Sequence, residues 1–170
     1  IQLELHSSDQ IIDLLEQRTD VAIRIGPLRD STLHARPLGS NRLRILASPA
    51  YLNAHGTPRN VADLNQHSLL GFTQPEHLNQ WPLRHAGGDS LAIAPALTAS
   101  SGETLRQLAL QGAGIVCLAD FMTAADRAQG DLVQVLMRDT VEVRQPIHAV
   151  YYRNTALAAR ITCFLDYLSE

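Results

Sequence analysis

The run Leu43-Arg44-Ile45-Leu46-Ala47-Ser48-Pro49-Ala50-Tyr51-Leu52-Asn53-Ala54-His55-Gly56-Thr57-Pro58 decides how this chain is read. Five mostly apolar residues propose a strand. Ser48-Pro49 then opens a helix, because Ser caps free N–H groups and Pro suits the first turn, where no backbone donor is needed. Gly56-Thr57-Pro58 stops it, and Asp63-Leu64 belongs to a short helical turn before His67. Upstream lies Ala35-Arg36-Pro37-Leu38.

Working outward, strand and helix signals alternate along the whole chain. Ile1 to Leu5 alternate like a strand, and Ser7 with Gln10 has the spacing of a capping box ahead of Ile11, Ile12, Leu14 and Leu15. Val21 to Ile25 is a nearly continuous apolar run of the kind a parallel strand shows when covered on both faces. Gly26-Pro27 ends it. Ser68 to Phe72 is a short strand, and His85-Ala86-Gly87-Gly88-Asp89 turns a hairpin between Trp81–Arg84 and Ser90–Ile93. Leu97-Thr98-Ala99 is a further strand.

Ser100, with Glu103 three residues on, is the expected cap of the next helix, whose stripe is Leu105, Leu108 and Ala109. Gly112 or Gly114 closes that helix. Residues 115–119 read as a buried strand and 121–129 as a helix closed by Gly130. Residues 132–136 and 147–152 read as strands. A final helix carries Leu157, Ile161, Phe164, Leu165 and Leu168 on one side. This alternation predicts an α/β fold with mostly parallel sheets.

Breaks near Pro37-Leu38-Gly39-Ser40 and Thr140-Val141-Glu142 predict two crossings between lobes. The first lobe is then 1–39 with 142–170, and the second an inserted lobe, 41–140. This is a periplasmic-binding-protein-like arrangement, two α/β lobes joined by two crossover strands with a ligand cleft between them.

Bulk properties exclude several functions. The chain has 170 residues, is 45% hydrophobic and 18% charged, and carries a net charge of -3, enough material for a real core and too little positive charge for a nucleic-acid footprint. No apolar run approaches the roughly 18 residues that span a membrane. Cys117 and Cys163 read as buried free thiols of a reducing compartment, with nothing electropositive beside either. The seven histidines show no metal-ligand spacing. His55 and His67 read as turn residues, and His85 as part of the hairpin. Gly112-Ala113-Gly114 closes a helix and precedes a strand, the reverse of a dinucleotide fingerprint. No Gly-x-Ser-x-Gly elbow occurs, so neither an enzyme nor a cofactor is expected.

Four segments in order resemble the effector-binding domain of LysR-type transcriptional regulators of bacteria. They are Asp20-Val21-Ala22-Ile23-Arg24-Ile25-Gly26, the Ala35–His67 stretch, Ser100-Ser101-Gly102-Glu103-Thr104-Leu105 through Asp120-Phe121, and Gly130-Asp131-Leu132-Val133. The resemblance implies a cytoplasmic small-molecule sensor that self-associates through this domain. It also implies that DNA is reached only through a winged-helix domain outside the chain, and that one β-α step of the first lobe, before Ile1, is missing. A transporter's solute-binding protein of the same fold is the alternative. The expected effector contacts are Arg24, Gly26, Phe72, Thr73, Thr98, Ser100, Ser101 and Phe121. Arg24 and the helix start at Ser100 point to a carboxylic acid, because a guanidinium and free N–H groups both favour an anion.

Overall fold

The structure, a computed structural model, describes residues 2–7, 14, 19–28, 33–152 and 159–169. Within these the chain divides into two compact units. One is formed by the two ends of the chain, up to Asn41 and from Arg144, and the other by Arg42–Val143.

In the first unit, β1 (Ala22–Ile25) pairs antiparallel with the last strand, Arg144–Tyr152, in the register Ala22↔Val150 to Ile25↔Ile147. The expectation of a parallel strand covered on both sides is therefore corrected. Ile23 and Ile25 are 51% and 46% exposed, while Arg24 between them is half-buried. An apolar run fixes that a segment is extended, but not which neighbour it pairs with or how many faces are covered. The helix Ala159–Tyr167 places Ile161 and Leu165 against Ala149, with Val21, Leu38 and Tyr151 around them. Arg36 reaches this helix through Asp166, 2.7 Å away.

Residues 2–7 do not form the expected strand; they are exposed, with Leu3 and Leu5 among the most exposed apolar side chains. Leu14 is buried. The Ser7–Gln10 cap, Ile11, Ile12, Leu15 and Leu157 lie partly or wholly outside the described residues.

The second unit holds most of the core. The strand β2 (Leu33–Ala47) runs without a break through Pro37 and Gly39, and the unit boundary falls inside it. Helix α1 (Pro49–His55) follows, with Ser48 Oγ accepting from the Tyr51 N–H and Pro49 in the first turn, as its sequence dictates. A 3-10 turn, Val61–Gln66, is capped reciprocally by Asn60 and Asp63. Next come β3 (Leu69–Phe72), the short hairpin strands β4 (Gln80–Trp81) and β5 (Leu91–Ala92), and β6 (Leu97–Ala99). Helix α2 (Gly102–Leu110), β7 (Ile115–Ala119), α3 (Asp120–Gln129) and β8 (Val133–Gln134) complete the unit. The Arg144–Tyr152 strand is β9 and the final helix α4.

The sheet is mixed rather than mostly parallel. β6, β3 and β7 run parallel to one another, and β7 and β8 are antiparallel to β2. Helix α2 is the crossover between the parallel strands β6 and β7, whereas β3 reaches β6 through the β4–β5 hairpin. The expected strand at 132–136 shortens to two residues, because Leu136 takes a left-handed φ of 53° and turns the chain.

Two apolar layers flank this sheet, in accord with the alternation of side chains along a strand. Ile45, Ala47, Ile115 and Cys117 face Tyr51, Leu64, Trp81 and Leu83. Leu46, Leu70, Val116 and Leu118 face Leu105 and Ala109 of α2 and Leu132. Gly114 is needed at the entry to β7, since a Cβ there would run into the Ser68 carbonyl oxygen. Cys117 is buried, and burial pushes its thiol pKa far up. Cys163 is exposed on α4, against the expectation that both thiols are buried.

Candidate functional site

The parallel strands β3 and β6 end side by side, with Gly71 opposite Thr98 and Phe72 opposite Ala99. The Thr73 N–H donates to the Ala99 carbonyl at 2.9 Å, extending the ladder one step beyond the strand. The chain then passes Ser100 and Ser101 into α2. Phe72, Thr73, Thr98, Ser100 and Ser101, five of the eight expected contacts, therefore gather at the C-terminal ends of two parallel strands and the start of the following helix. This is where α/β sheets place ligands. Thr73, Thr98 and Ser100 are exposed, and Phe72 and Ser101 half-buried.

The helix cap is Ser101, not Ser100. α2 begins at Gly102, and Ser101 Oγ accepts from the Thr104 N–H at 3.4 Å. Glu103 takes no part in a capping box; its carboxylate accepts from Arg106 at 2.8 Å and Gln107 at 2.9 Å. Two adjacent serines make the capping register ambiguous in the sequence, and the fold settles it one residue later. Ser100 is thereby left with its hydroxyl uncommitted to the helix.

Two residues that support this corner were not evident from the pattern. Asn79 holds the Phe72 backbone from both sides: its Oδ1 accepts the Phe72 N–H and its Nδ2 donates to the Phe72 carbonyl, each at 2.8 Å. Met122 packs over the first turn of α2, where a Cβ on Gly102 would lie 3.1 Å from Met122 Cε and 3.6 Å from Phe72 Cζ. Phe121, an expected contact, is 57% exposed at the start of α3. A methionine after a phenylalanine carries no signal of which one turns inward.

The start of α3 is strongly charged. Asp120 accepts from Arg44 Nε at 2.9 Å and from Arg127. Burial works against ionisation of Asp120, but the Arg44 hydrogen bond and the charges of Arg127, Arg44 and Arg42 outweigh it and hold the carboxyl below its ordinary value. Glu142 joins this group through Arg42 at 3.1 Å. Farther along, Asp126 is buried and bound by Arg106 through two hydrogen bonds of 2.6 Å each. That planar fork ties α2 to α3.

Arg24 and Gly26 belong to the first unit. Arg24 stands opposite His148 across β1 and β9, and the buried Gly26 donates its N–H to the Pro146 carbonyl at 2.9 Å. Among the described residues, no cluster of three or more His, Cys, Asp or Glu could hold a metal ion. Among the described residues, no helix is long and apolar enough to cross a membrane.

Comparison with known proteins fixes the family of this α/β fold. Residues 1–170 match the LysR substrate binding domain, and the chain belongs to that family. It is 47% identical over 170 residues to the HTH-type transcriptional regulator CrgA of Neisseria meningitidis, covering all of this chain and 57% of that protein. It is 30% identical over 174 residues to the HTH-type transcriptional regulator DmlR of Escherichia coli, covering all of this chain and 55% of the relative. The chain thus spans little more than half the length of these relatives.

Among solved structures, the CrgA regulatory domain superposes with a TM-score of 0.91 at 46% identity, covering 95% of this chain and 79% of that one. The full-length AphB virulence activator of Vibrio cholerae gives 0.81 at 30%, covering 99% and 57%. The fold is accordingly α/β and periplasmic-binding-protein-like. The relatives are regulators, and the solute-binding-protein alternative has no support among them.

Proposed function

We propose that this chain is the effector-sensing part of a LysR-type transcriptional regulator. The family match along its whole length carries the reading. The corner where Thr73, Thr98, Ser100 and Ser101 surround the start of α2 supplies hydroxyl groups suited to a small polar ligand. The ligand is bound and released unchanged, as a signal. A small molecule that prefers one arrangement of the two units shifts the population toward it by the difference in its affinities. In the longer protein that shift acts on a DNA-binding domain outside this chain, and copies of the regulator associate partly through this domain. The setting is the cytoplasm.

Arg24 and Gly26 of the first unit, and Phe72, Thr73, Thr98, Ser100, Ser101 and Phe121 of the second, are proposed to contact the effector. A small carboxylic acid is the class that fits, because a guanidinium and helix N–H groups both favour an anion. Thermal-shift screening against small carboxylic acids tests this, since a ligand of the native state raises its melting temperature. With a hit in hand, Arg24→Ala is expected to weaken binding by about 1 kcal/mol or more, the range of a hydrogen bond to a charged group. Unchanged affinity in calorimetry would remove Arg24 from the site.

A further inference from the structure

The second unit carries a groove of about 760 Å3 whose lining includes none of the effector contacts proposed above. It lies between the Val61–Gln66 turn, the start of β3 and the hairpin, and its volume falls within the range of about 300–1,000 Å3 typical of small-molecule sites. The apolar part of its wall is Val61, Leu64, Leu69, Leu91 and Ile93, which belong to, or pack on, one of the two apolar layers.

The polar residues lining the groove are Asn60, whose side chain caps the Val61–Gln66 turn, with Asn65, His67, Arg84, His85 and Asp139. Arg84 and Asp139 are neighbours, because the Arg84 N–H donates to the Asp139 carbonyl at 2.7 Å and Leu83 bridges Thr140 beside it. Arg84 Nε is bound to Asp89 at 3.0 Å. Its two amino groups, and the Asp139 carboxylate, have no hydrogen-bond or ion-pair partner among the described residues. His85 is occupied at both nitrogens, by the Gly87 N–H and the Ser90 carbonyl.

His67 is held differently. The buried Tyr51 hydroxyl accepts the Ser68 N–H at 2.9 Å and shares a hydrogen bond with His67 Nδ1, 3.0 Å away. Burial, with the nearby charge of His55, lowers the His67 pKa against the opposing pull of Asp63. The groove thus offers the Arg84 amino groups and the Asp139 carboxylate on paired backbone positions, an imidazole, and aliphatic side chains.

This set matches a zwitterion better than either single charge. A simple carboxylate can meet the Arg84 amino groups but leaves the Asp139 carboxylate unanswered, and a simple ammonium can meet Asp139 but leaves the Arg84 amino groups open. An ammonium and a carboxylate on one carbon satisfy both, and leave an apolar side chain for the apolar part of the wall. We propose that the groove is a second small-molecule site, separate from the effector site, that takes apolar α-amino acids between Arg84 and Asp139.

Calorimetric titration of the chain with L-leucine and L-phenylalanine, up to ~10 mM to reach millimolar dissociation constants, tests the proposal. Saturable binding is expected, with isovaleric acid and isopentylamine each weaker by about tenfold or more, or about 1.4 kcal/mol. Asp139→Asn and Arg84→Gln should each weaken leucine binding by a similar factor, with melting temperature confirming that both variants fold. Arg24→Ala should leave it unchanged. Absence of saturable heat with either amino acid overturns the proposal. So does equal binding of isovaleric acid, or loss of binding in Arg24→Ala with Asp139→Asn unaffected. That last result would assign the amino acid to the effector site and leave the effector reading intact.

Discussion

Asp126 shows how one side chain can link two helices. It is buried, and Arg106 meets it with two short parallel hydrogen bonds while also reaching Glu103. The hydrogen bond to Asp126, reinforced by both carboxylates, raises the Arg106 pKa, so the guanidinium stays charged. Removing one partner of such a pair leaves a buried charge unanswered, which costs far more than the pair contributes. Arg106→Ala is expected to lower stability by about 3 kcal/mol in urea denaturation. Arg106→Met combined with Asp126→Leu should recover most of that loss, since no charge is left stranded. Equal stability of Arg106→Ala and the wild type would show that Asp126 is solvated.

At the scale of elements, the start of α2 turns on a single residue of register. Both Ser100 and Ser101 suit a cap, but only Ser101 accepts a helix N–H. Ser101→Ala should therefore cost about 1 kcal/mol of stability. Ser100→Ala should stay within about 0.5 kcal/mol of wild type, as for other exposed substitutions. Chemical denaturation of the two variants separates the roles, and a larger loss for Ser100→Ala would place the cap one residue earlier. If Ser100 contacts the effector, its variant should instead weaken effector binding with stability unchanged. By contrast, α1 and the α3 terminus at Gly130 were legible outright. A Ser-Pro opening and a left-handed glycine at φ 82° are local devices that act without help from distant chain.

Across the whole molecule, stability should follow pH in two windows. The pKa of His67 is lowered, so between the ordinary histidine value of 6.5 and its lower folded value the unfolded chain binds the extra proton. Stability should fall as pH drops through that window and level off above it. Asp120 is also lowered, so the stability it contributes is present above 3.8 and is lost as pH falls toward its folded value. Melting temperatures from pH 8 to pH 3 should show both declines. His67→Asn, which keeps a hydrogen-bonding side chain beside the Tyr51 hydroxyl, should flatten the upper one. An upper decline of the same size in that variant would assign it to another group.

The sequence by itself determined the alternation of strands and helices, most helix ends, the stripe of Leu105 and Ala109, and the family. Each is written in short-range patterns of polarity and in capping, Pro and Gly residues, whose preferences come from the backbone and its nearest neighbours. Tertiary structure alone decided that β1 is antiparallel to β9, that Arg24 is more sheltered than Ile23 and Ile25, and that Met122 rather than Phe121 packs over α2. It also decided that Asn79 braces Phe72 and that Arg84 stands beside Asp139. Those facts depend on which distant segments meet. A local pattern holds no record of its partner, because strand pairing and side-chain contact are fixed by burial and hydrogen bonding summed over the folded chain.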